Sequence, residues 1–280
     1  MEYVTLNNGV KMPMLGYGVY QVDPAETERC VLEAIETGYR SIDTAQAYGN
    51  EEGVGRAAAR CGLPREELFL TTKVWITNGG YEKAKASIED SLNKLQTNYV
   101  DLLLIHQPFN DYYGTYRAME EACRAGKARA IGVSNFYPDR FIDLASFCQI
   151  PPAVNQVETH LFQQQKQAAA VLRKYGAQLE SWGPFAEGKL DFFRNPVLKE
   201  IGGAHGKTPA QTALRFLIQQ GVVVIPKTVK KERMQENFNV FDFTLTPEEM
   251  ARLEALDTGK SLFFSHQDPE TVEWFMSIVR

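Results

Sequence analysis

The chain alternates between short, almost continuous apolar runs and longer amphipathic stretches. Seven apolar runs begin near residues 41, 69, 100, 128, 153, 177 and 222. The first six follow one another at intervals of 24 to 31 residues, and the last comes after a gap of 45. Because one strand–helix–strand unit takes about 30 residues, this spacing predicts parallel strands joined by helices. Runs such as VVVI at 222–225 are typical of strands covered on both faces.

Boundary residues predict helices in the amphipathic stretches. Three of these helices are predicted over residues 26–37, 140–147 and 210–220. Gly38 follows the first, and Thr208 and Pro209 precede the third. Ser or Thr before a helix, Pro in its first turn and Gly after its end are the usual boundary residues. We also expect an extra loop and helix around residues 190–202, and we find no clear periodicity after Asp257.

The number of units favours a closed barrel. Residues 15–18 are predicted as a first short strand, which makes eight strand–helix units, and residues 3–6 and 10–12 flank an Asn-Asn-Gly turn that predicts an N-terminal β-hairpin. We find no linker and no G-x-G-x-x-G motif after a strand, which weighs against an open dinucleotide-binding sheet. We therefore expect one domain over residues 1–280, a (β/α)8 TIM barrel with an N-terminal hairpin and a C-terminal tail.

Composition narrows the class of protein. Of the 280 residues 44% are hydrophobic and 23% are charged, which is typical of a globular chain, and the net charge of −5 argues against nucleic acid or an anionic membrane as partner. We see no signal peptide and no apolar run long enough for a membrane span. The four cysteines are scattered and form no metal-ligand pattern, so we expect a reduced, cytoplasmic protein without a metal site.

Three consecutive predicted strands end in titratable residues. Asp43, Lys73 and His106 occupy these ends, and Tyr48 follows Asp43 on the next loop. Since the carboxyl ends of barrel strands surround one mouth, we expect the four side chains to meet there. Taken singly, the residues have ordinary explanations: a helix cap, a solvated lysine, a structural histidine and a packing tyrosine. Together they are difficult to explain in that way.

The four residues suit proton delivery. A free tyrosine has a pKa near 10, and a nearby ammonium is expected to lower the pKa of the phenol. The ammonium itself needs a carboxylate partner in a dry mouth, which Asp43 supplies for Lys73, and His106 can hydrogen-bond a carbonyl oxygen. Such groups can protonate an alkoxide that forms as hydride arrives. Since none of them carries hydride, a cofactor must do so.

A cluster of cations follows the last predicted strand. Residues 225–233, IPKTVKKER, place four cations within seven positions of an acidic protein, at a strand-to-helix turn where backbone N–H groups favour anions. The loops after strands seven and eight hold the phosphate site in many barrels. A solvated basic helix start is the alternative explanation.

Several motifs make the chain resemble the aldo-keto reductase family over essentially its full length. They are GYRSIDTAQAYGNE at 38–51, AIGVSNF at 130–136, VNQVE at 154–158 and IPKT at 225–228. The resemblance is greatest to short bacterial members such as 2,5-diketo-gluconate and glyoxal or methylglyoxal reductases. It implies an NADPH-dependent enzyme that reduces aldehydes or ketones to alcohols, usually as a monomer.

The resemblance also implies a role for each matching residue. Tyr48 would be the general acid, Asp43 and Lys73 its tuning pair, and His106 the residue that orients the carbonyl. The residues expected to hold the nicotinamide are Ser134, Asn135, Gln156 and Trp182, the last by stacking on the ring. Those expected to hold the adenosine 2′-phosphate and the adenine are Lys227, Thr228, Arg233, Glu236 and Asn237. The cations among them favour NADPH over NADH.

Some positions depart from the family pattern or are placed only by loop position. Gln107 stands where many relatives have Trp, and Trp182 where Tyr is commoner, which leaves the substrate preference open. Aromatic residues expected to line the substrate pocket are Tyr20, Trp75, Phe109, Tyr112, Tyr113, Phe263 and Phe264. We expect His160 to be structural, and His205 and His266 to lie at the surface.

Two other functions remain open from the sequence. A cofactor-binding regulatory or structural protein can have the same fold with little turnover, since fold alone does not establish activity. A metal-dependent barrel hydrolase would use Asp43 and His106, but further ligands at other strand ends are missing from the pattern. For the favoured function, we expect a small aldehyde, a dicarbonyl or a keto-sugar acid as substrate.

Overall fold

The computed structural model describes residues 1–279 and has an eight-stranded parallel sheet at its centre. The strands of this sheet are β3 (Tyr17–Gly18), β4 (Ser41–Asp43), β5 (Phe69–Val74), β6 (Val100–Ile105), β7 (Ala128–Ser134), β8 (Val154–Glu158), β9 (Gln178–Trp182) and β10 (Val223–Val224). Each strand pairs with the next one along the chain. The antiparallel strands β1 (Tyr3–Thr5) and β2 (Lys11–Pro13) precede them as a hairpin.

Backbone hydrogen bonds join the first and last parts of the sheet. The amide of Gly16 donates to the carbonyl of Val224 at 2.8 Å, and the amide of Val224 donates to the carbonyl of Met14 at 3.0 Å. The seam is tight at Gly18, where a Cβ atom would lie 2.9 Å from the carbonyl oxygen of Ile225. The eight parallel strands therefore form a (β/α)8 barrel, as the sequence predicts.

Helices follow the strands and cover the outside of the sheet. They are α1 (Pro24–Thr37), α2 (Glu51–Arg60), α3 (Tyr81–Lys94), α4 (Tyr112–Arg124), α5 (Pro138–Phe147), α6 (Lys166–Lys174), α7 (Pro196–Ala204), α8 (Pro209–Gln219), α9 (Lys231–Phe238), α10 (Pro247–Glu254) and α11 (Pro269–Val279). Caps explain several boundaries. Asp23 accepts from the amide of Ala25 before α1, and Thr208 and Gln211 form a capping box at α8.

The predicted elements lie close to the observed ones. All seven apolar runs become strands that begin within one residue of the expected positions, and α7 lies in the long gap where an extra helix is expected. The structure adds α11 in the tail, where no helix was predicted. In the part of the chain that the structure describes, no helix is long and apolar enough to cross a bilayer.

The hairpin lies at the amino-terminal end of the strands. The side-chain amide of Asn7 donates to the carbonyl of Pro152, just before β8, and that of Asn8 donates to the carbonyl of Arg129, near the start of β7. Strands β5 and β6 are buried along their whole length, as expected for strands with a filled barrel on one side and helices on the other. Since the hairpin is at the opposite end, the carboxyl ends of the strands are left for a site.

Candidate active site

The three titratable strand ends meet, as the sequence predicts. Asp43 ends β4, Lys73 lies near the end of β5, and His106 follows β6 directly. The Nζ atom of Lys73 lies 2.5 Å from Oδ1 of Asp43 and donates to the hydroxyl of Tyr48 at 3.2 Å. Both members of the ion pair are almost completely buried. The carboxylate, ammonium and phenol therefore form one connected chain.

A short 3-10 helix, Gln46–Tyr48, positions the phenol. The side chain of Gln46 fixes this turn, since its Oε1 accepts from the backbone amide of Trp75 at 2.9 Å and its Nε2 donates to Ser91 at 3.1 Å. The ring of Tyr48 meets the ring of His106 edge-on, with 5.5 Å between their centroids. Gln46 lies within the motif at 38–51, but no role was predicted for it.

Burial changes the expected acidity of the phenol. Desolvation raises the pKa of Tyr48 to about 12, and the nearby charge of Lys73 offsets this rise only in part. The ammonium therefore lowers the pKa as expected, but burial outweighs this effect and keeps the pKa of Tyr48 above its usual value. Burial by itself would lower the pKa of Lys73, but the charge of Asp43 and the Tyr48 phenol outweigh it and raise that pKa. At neutral pH the site thus holds a protonated phenol beside an ammonium.

His106 is neutral at physiological pH. Burial, together with the charge of Lys73 and the proximity of His266, lowers the pKa of His106 well below its usual value. Its Nδ1 atom is buried and has no partner among the described residues. The tautomer that carries its proton on Nε2 therefore leaves a hydrogen-bond donor for the cavity that this side chain lines.

Side chains from the ends of β7 and β9 and from the middle of β8 form a second group beside the first. Asn135 has a left-handed backbone (φ 64°), which is uncommon for a residue with a side chain and is found at functional sites. Its Nδ2 donates to the carbonyl of His106 at 3.0 Å, and its Oδ1 accepts from Nε1 of Trp182 at 2.8 Å. The hydroxyl of Ser134 donates to the carbonyl of Gln156 at 2.8 Å. These four predicted nicotinamide residues line one cavity.

Glu180 in β9 was not predicted, yet it belongs to this group. The Nε2 atom of Gln156 donates to Oδ2 of Asp43 and to Oε2 of Glu180, both at 2.9 Å. The other carboxyl oxygen, Oε1, is buried and has no partner among residues 1–279. Desolvation, reinforced by the charge of Asp43, raises the pKa of Glu180 to about 8. This carboxyl is therefore protonated at neutral pH.

The basic segment follows β10 and continues into the first turn of α9, at the predicted strand-to-helix turn. Lys227 is exposed and lines the cavity, whereas Thr228 is buried and its carbonyl accepts from the hydroxyl of Tyr17 at 2.5 Å. Lys231 pairs with Glu36 at 2.9 Å. Within the described residues, Lys227, Lys230 and Arg233 form no ion pair. Three cations in this segment are therefore available to an anion.

The two predicted adenine residues lie further along α9. Asn237 is buried, and Oε1 of Glu236 accepts from the hydroxyl of Thr208 at 2.6 Å. Neither side chain lines the cavity. The structure therefore places them on the helix that begins with the basic segment, and Glu236 already has a protein partner.

The cavity has a volume of about 710 Å³ and largely aromatic walls. Four of the aromatic residues predicted there do line it: Tyr20, Trp75, Phe263 and Phe264. Four more belong to the wall without having been predicted: Phe185, Phe193, Trp274 and Phe275. An aromatic wall with a small number of polar groups is typical of sites for small molecules.

Three predicted pocket residues lie elsewhere. Phe109 is buried behind the wall, where it packs against Phe275 with 5.1 Å between the ring centroids. Tyr112 stacks on Tyr113 at the start of α4 and meets Phe136 edge-on. The structure does not bring Phe109, Tyr112 or Tyr113 to the cavity surface, and the two tyrosines belong to the first turn of α4.

The tail returns over the mouth of the barrel. Glu158, at the end of β8, fixes it there: its carboxylate accepts from the hydroxyl of Ser261 at 2.5 Å and from the amide of Leu262 at 2.9 Å. His160 is buried and lies 2.9 Å from the same carboxylate, which fits the expected structural role. The tail therefore contributes to the cavity wall.

The expected surface position is wrong for His266, whereas His205 is partly exposed. His266 is only 3% exposed, and its Nε2 lies 2.7 Å from Oε1 of Gln107. His205 is half-buried and lies 2.9 Å from the carboxylate of Glu249. His266 lies in a part of the tail where no element was predicted, so no sequence signal indicated that its side chain is buried. Among residues 1–279 no group of three or more His, Cys, Asp or Glu side chains is arranged to hold a metal ion.

Comparison with known proteins agrees with this architecture. Residues 12–258 match the model of the aldo/keto reductase family. The glyoxal reductase of Bacillus subtilis is 47% identical over 258 residues, which cover 91% of this chain and 93% of that protein. An aldo-keto reductase from a deep-sea metagenome library superimposes with a TM-score of 0.92 at 42% identity, covering 95% of this chain and 98% of that one.

A solved structure with a ligand is also similar. An aldo-keto reductase of Bombyx mori, determined in complex with NADP, is 33% identical, with a TM-score of 0.89 and coverage of 94% of this chain and 95% of that one. The family match extends over most of the barrel, and the similarity to these proteins extends over nearly the whole chain. The chain therefore belongs to the aldo/keto reductase family.

Proposed function

We propose that the chain is an NADPH-dependent oxidoreductase that reduces aldehydes and ketones to alcohols, with Tyr48 as the general acid. One observation carries this proposal: the connected chain of Asp43, Lys73 and Tyr48 reaches the cavity beside a neutral His106. This arrangement has a proton to give, a cation to stabilise the resulting anion and a donor for a carbonyl oxygen.

Each side chain has a part that follows from its chemistry. The Nε2–H group of His106 donates to the substrate carbonyl oxygen and orients it towards Tyr48. Tyr48 passes its proton to that oxygen, and the ammonium of Lys73, fixed by Asp43, stabilises the phenolate that is left. NADPH, when bound, supplies the hydride that none of these side chains can provide.

The structure has residues that fit this cofactor. Trp182 offers a flat indole at the cavity wall, and the amide and hydroxyl groups of Ser134, Asn135 and Gln156 lie beside it. Lys227 and Arg233 are without carboxylate partners in the part of the chain that is described, and Thr228 lies between them in sequence. We infer that these cations bind a 2′-phosphate. We assign Glu236 and Asn237, on the same helix, to the adenine.

The substrate is a small aldehyde, a dicarbonyl or a keto-sugar acid. The 47% identity to the Bacillus subtilis glyoxal reductase supports a small carbonyl compound. The aromatic wall that includes Trp75 and Phe264 supports acceptance of several such compounds, since an apolar pocket discriminates weakly among shapes. Cytoplasmic location and a monomeric state stay predictions from the sequence.

Steady-state kinetics with a small panel test the proposal. The panel contains methylglyoxal, an aromatic aldehyde, a keto-sugar acid and a ketosteroid, each measured with NADPH and with NADH. We expect many turnovers per enzyme molecule with at least one carbonyl and a lower KM for NADPH than for NADH. Tight NADPH binding without turnover on any of them would instead support a regulatory protein of the same fold.

A further inference from the structure

Gln107 follows His106 directly and lines the same cavity. The structure gives its side-chain oxygen two donors: Nε2 of His266 at 2.7 Å and Nδ2 of Asn135 at 3.3 Å. Its side-chain nitrogen has no partner among residues 1–279 and is not fully enclosed. The amide therefore has a satisfied acceptor and a free donor beside the carbonyl-orienting histidine.

The orientation of this amide follows from donors and acceptors that cannot exchange roles. The indole N–H of Trp182 only donates, so it fixes Oδ1 of Asn135 on its own side. The Nδ2 group of Asn135 then faces three acceptors: the backbone carbonyl of His106, the hydroxyl of Ser134 at 3.1 Å and, at the longest distance, the side chain of Gln107. Because Nδ2 only donates, Gln107 must present its oxygen there. The two hydrogens on Nε2 of Gln107 are left for the cavity.

His266 secures the same orientation from the tail. Its ring stacks on Phe275 with an interplanar angle of 17° and on Phe109 with an angle of 28°. The hydroxyl of Tyr137 accepts from its backbone amide at 3.2 Å. Burial, with the charge of Arg140, lowers the pKa of His266 to about 4, so the ring is neutral. Because Nε2 faces the side-chain oxygen of Gln107, the proton of the neutral ring lies on Nε2, and the buried Nδ1 has no partner among the described residues.

We propose that Gln107 is a specificity-determining residue whose Nε2–H groups bind a second acceptor oxygen next to the reacting carbonyl. The inference rests on the proposed carbonyl reductase function. The Gln107 amide favours substrates with two adjacent oxygens, such as α-oxo aldehydes and 1,2-diketones, over simple aldehydes of the same size. His266 and Asn135 are positioning residues for this amide.

The test compares methylglyoxal with propanal in wild type and in Gln107→Met. The two substrates have the same three-carbon length, and methylglyoxal carries the additional oxygen. We expect kcat/KM for methylglyoxal to fall about 5- to 10-fold more than kcat/KM for propanal, the size of one lost hydrogen bond. Comparing each variant with wild type on the same substrate cancels differences in hydration and intrinsic reactivity. Retained turnover of propanal shows that the variant folds.

Two histidine variants separate positioning from folding. His266→Phe keeps an aromatic ring in the stack but removes the donor, and we expect it to shift the same substrate ratio by about 2- to 5-fold. The matched control is His205→Phe, since that histidine pairs with Glu249 and does not line the cavity. We expect this control to leave the ratio unchanged. The double variant of Gln107 and His266 should show no further change in the ratio beyond Gln107→Met.

The possible outcomes are distinct. An unchanged ratio in Gln107→Met, with both substrates still reduced, overturns the role of the amide and leaves the reductase function standing. Absence of turnover with any carbonyl in wild type overturns the proposed function itself. A ratio that changes equally in His266→Phe and His205→Phe overturns the positioning role of His266.

Discussion

Individual residues show where sequence reasoning succeeds and where it stops. Asp43, Lys73 and His106 were predictable because strand ends of a barrel converge, and that geometry needs no knowledge of side-chain contacts. Glu180 was not predictable. It lies in the middle of strand β9, and its significance depends on Gln156, which bridges it to Asp43 from the neighbouring strand. Only the register of the sheet brings these residues together.

Glu180 makes the stability of the protein depend on pH. In the unfolded chain its carboxyl ionises near the ordinary pKa of 4.5, whereas burial raises the pKa in the folded protein to about 8. Between these values the unfolded state has released the proton and the folded state has kept it. The contribution of this group to stability therefore falls as the pH rises through this window and is constant above it.

Replacing Glu180 by Gln should remove this pH dependence. Between pH 6 and 8 we expect the free energy of unfolding of wild type to fall relative to that of Glu180→Gln, by up to about 1.4 kcal/mol per pH unit. Urea unfolding at several pH values measures the difference. Glu66→Gln, at an exposed position, is the control and should follow wild type. Parallel curves for wild type and Glu180→Gln would contradict a protonated Glu180.

At the scale of elements, strands were easier to predict than the tail helix. The strands are buried on both sides, so their apolar runs begin within one residue of the observed positions. Helix α11 does show a helical period: Phe275 is buried, and Val272, Met276 and Val279 pack beside it at positions i−3, i+1 and i+4. The expectation of no clear periodicity after Asp257 is therefore wrong for this segment, where Trp274 and Ile278 on the exposed side make the pattern less distinct.

The cations at the turn from β10 to α9 that form no ion pair within residues 1–279 lead to a separate prediction about the preference for NADPH over NADH. Arg233→Ala should weaken NADPH binding about 10-fold or more and leave NADH binding within 2-fold, because a charge-assisted hydrogen bond to a phosphate is lost. Lys231→Ala is the matched control, since this cation on the same helix already pairs with Glu36. It should change neither affinity by more than 2-fold. Fluorescence titration with both cofactors gives the values, and equal weakening of NADPH and NADH in Arg233→Ala would exclude a 2′-phosphate contact.

Across the whole molecule, one end of the barrel is covered by the hairpin and the other end contains the candidate active site. The hairpin bonds to the amino-terminal end through Asn7 and Asn8, and the titratable side chains lie at the other end. The tail crosses that second end, where Glu158 fixes Ser261 and Leu262. The barrel and the positions of its strand ends followed from periodicity. The part of the cavity wall that the tail forms did not, because residues distant in sequence pack together there and their contacts leave no local pattern in the sequence.

The central claim is that the enzyme catalyses hydride transfer from NADPH to a carbonyl carbon while Tyr48 protonates the carbonyl oxygen. Mass spectrometry of the alcohol formed from methylglyoxal, with NADPH deuterated at the transferred position, tests it most directly. Wild type should place one deuterium on the carbinol carbon over many turnovers, and Tyr48→Phe should bind NADPH normally but lose at least about 100-fold in turnover. NADPH oxidation without deuterium in the alcohol, or near-normal turnover by Tyr48→Phe, would contradict the account.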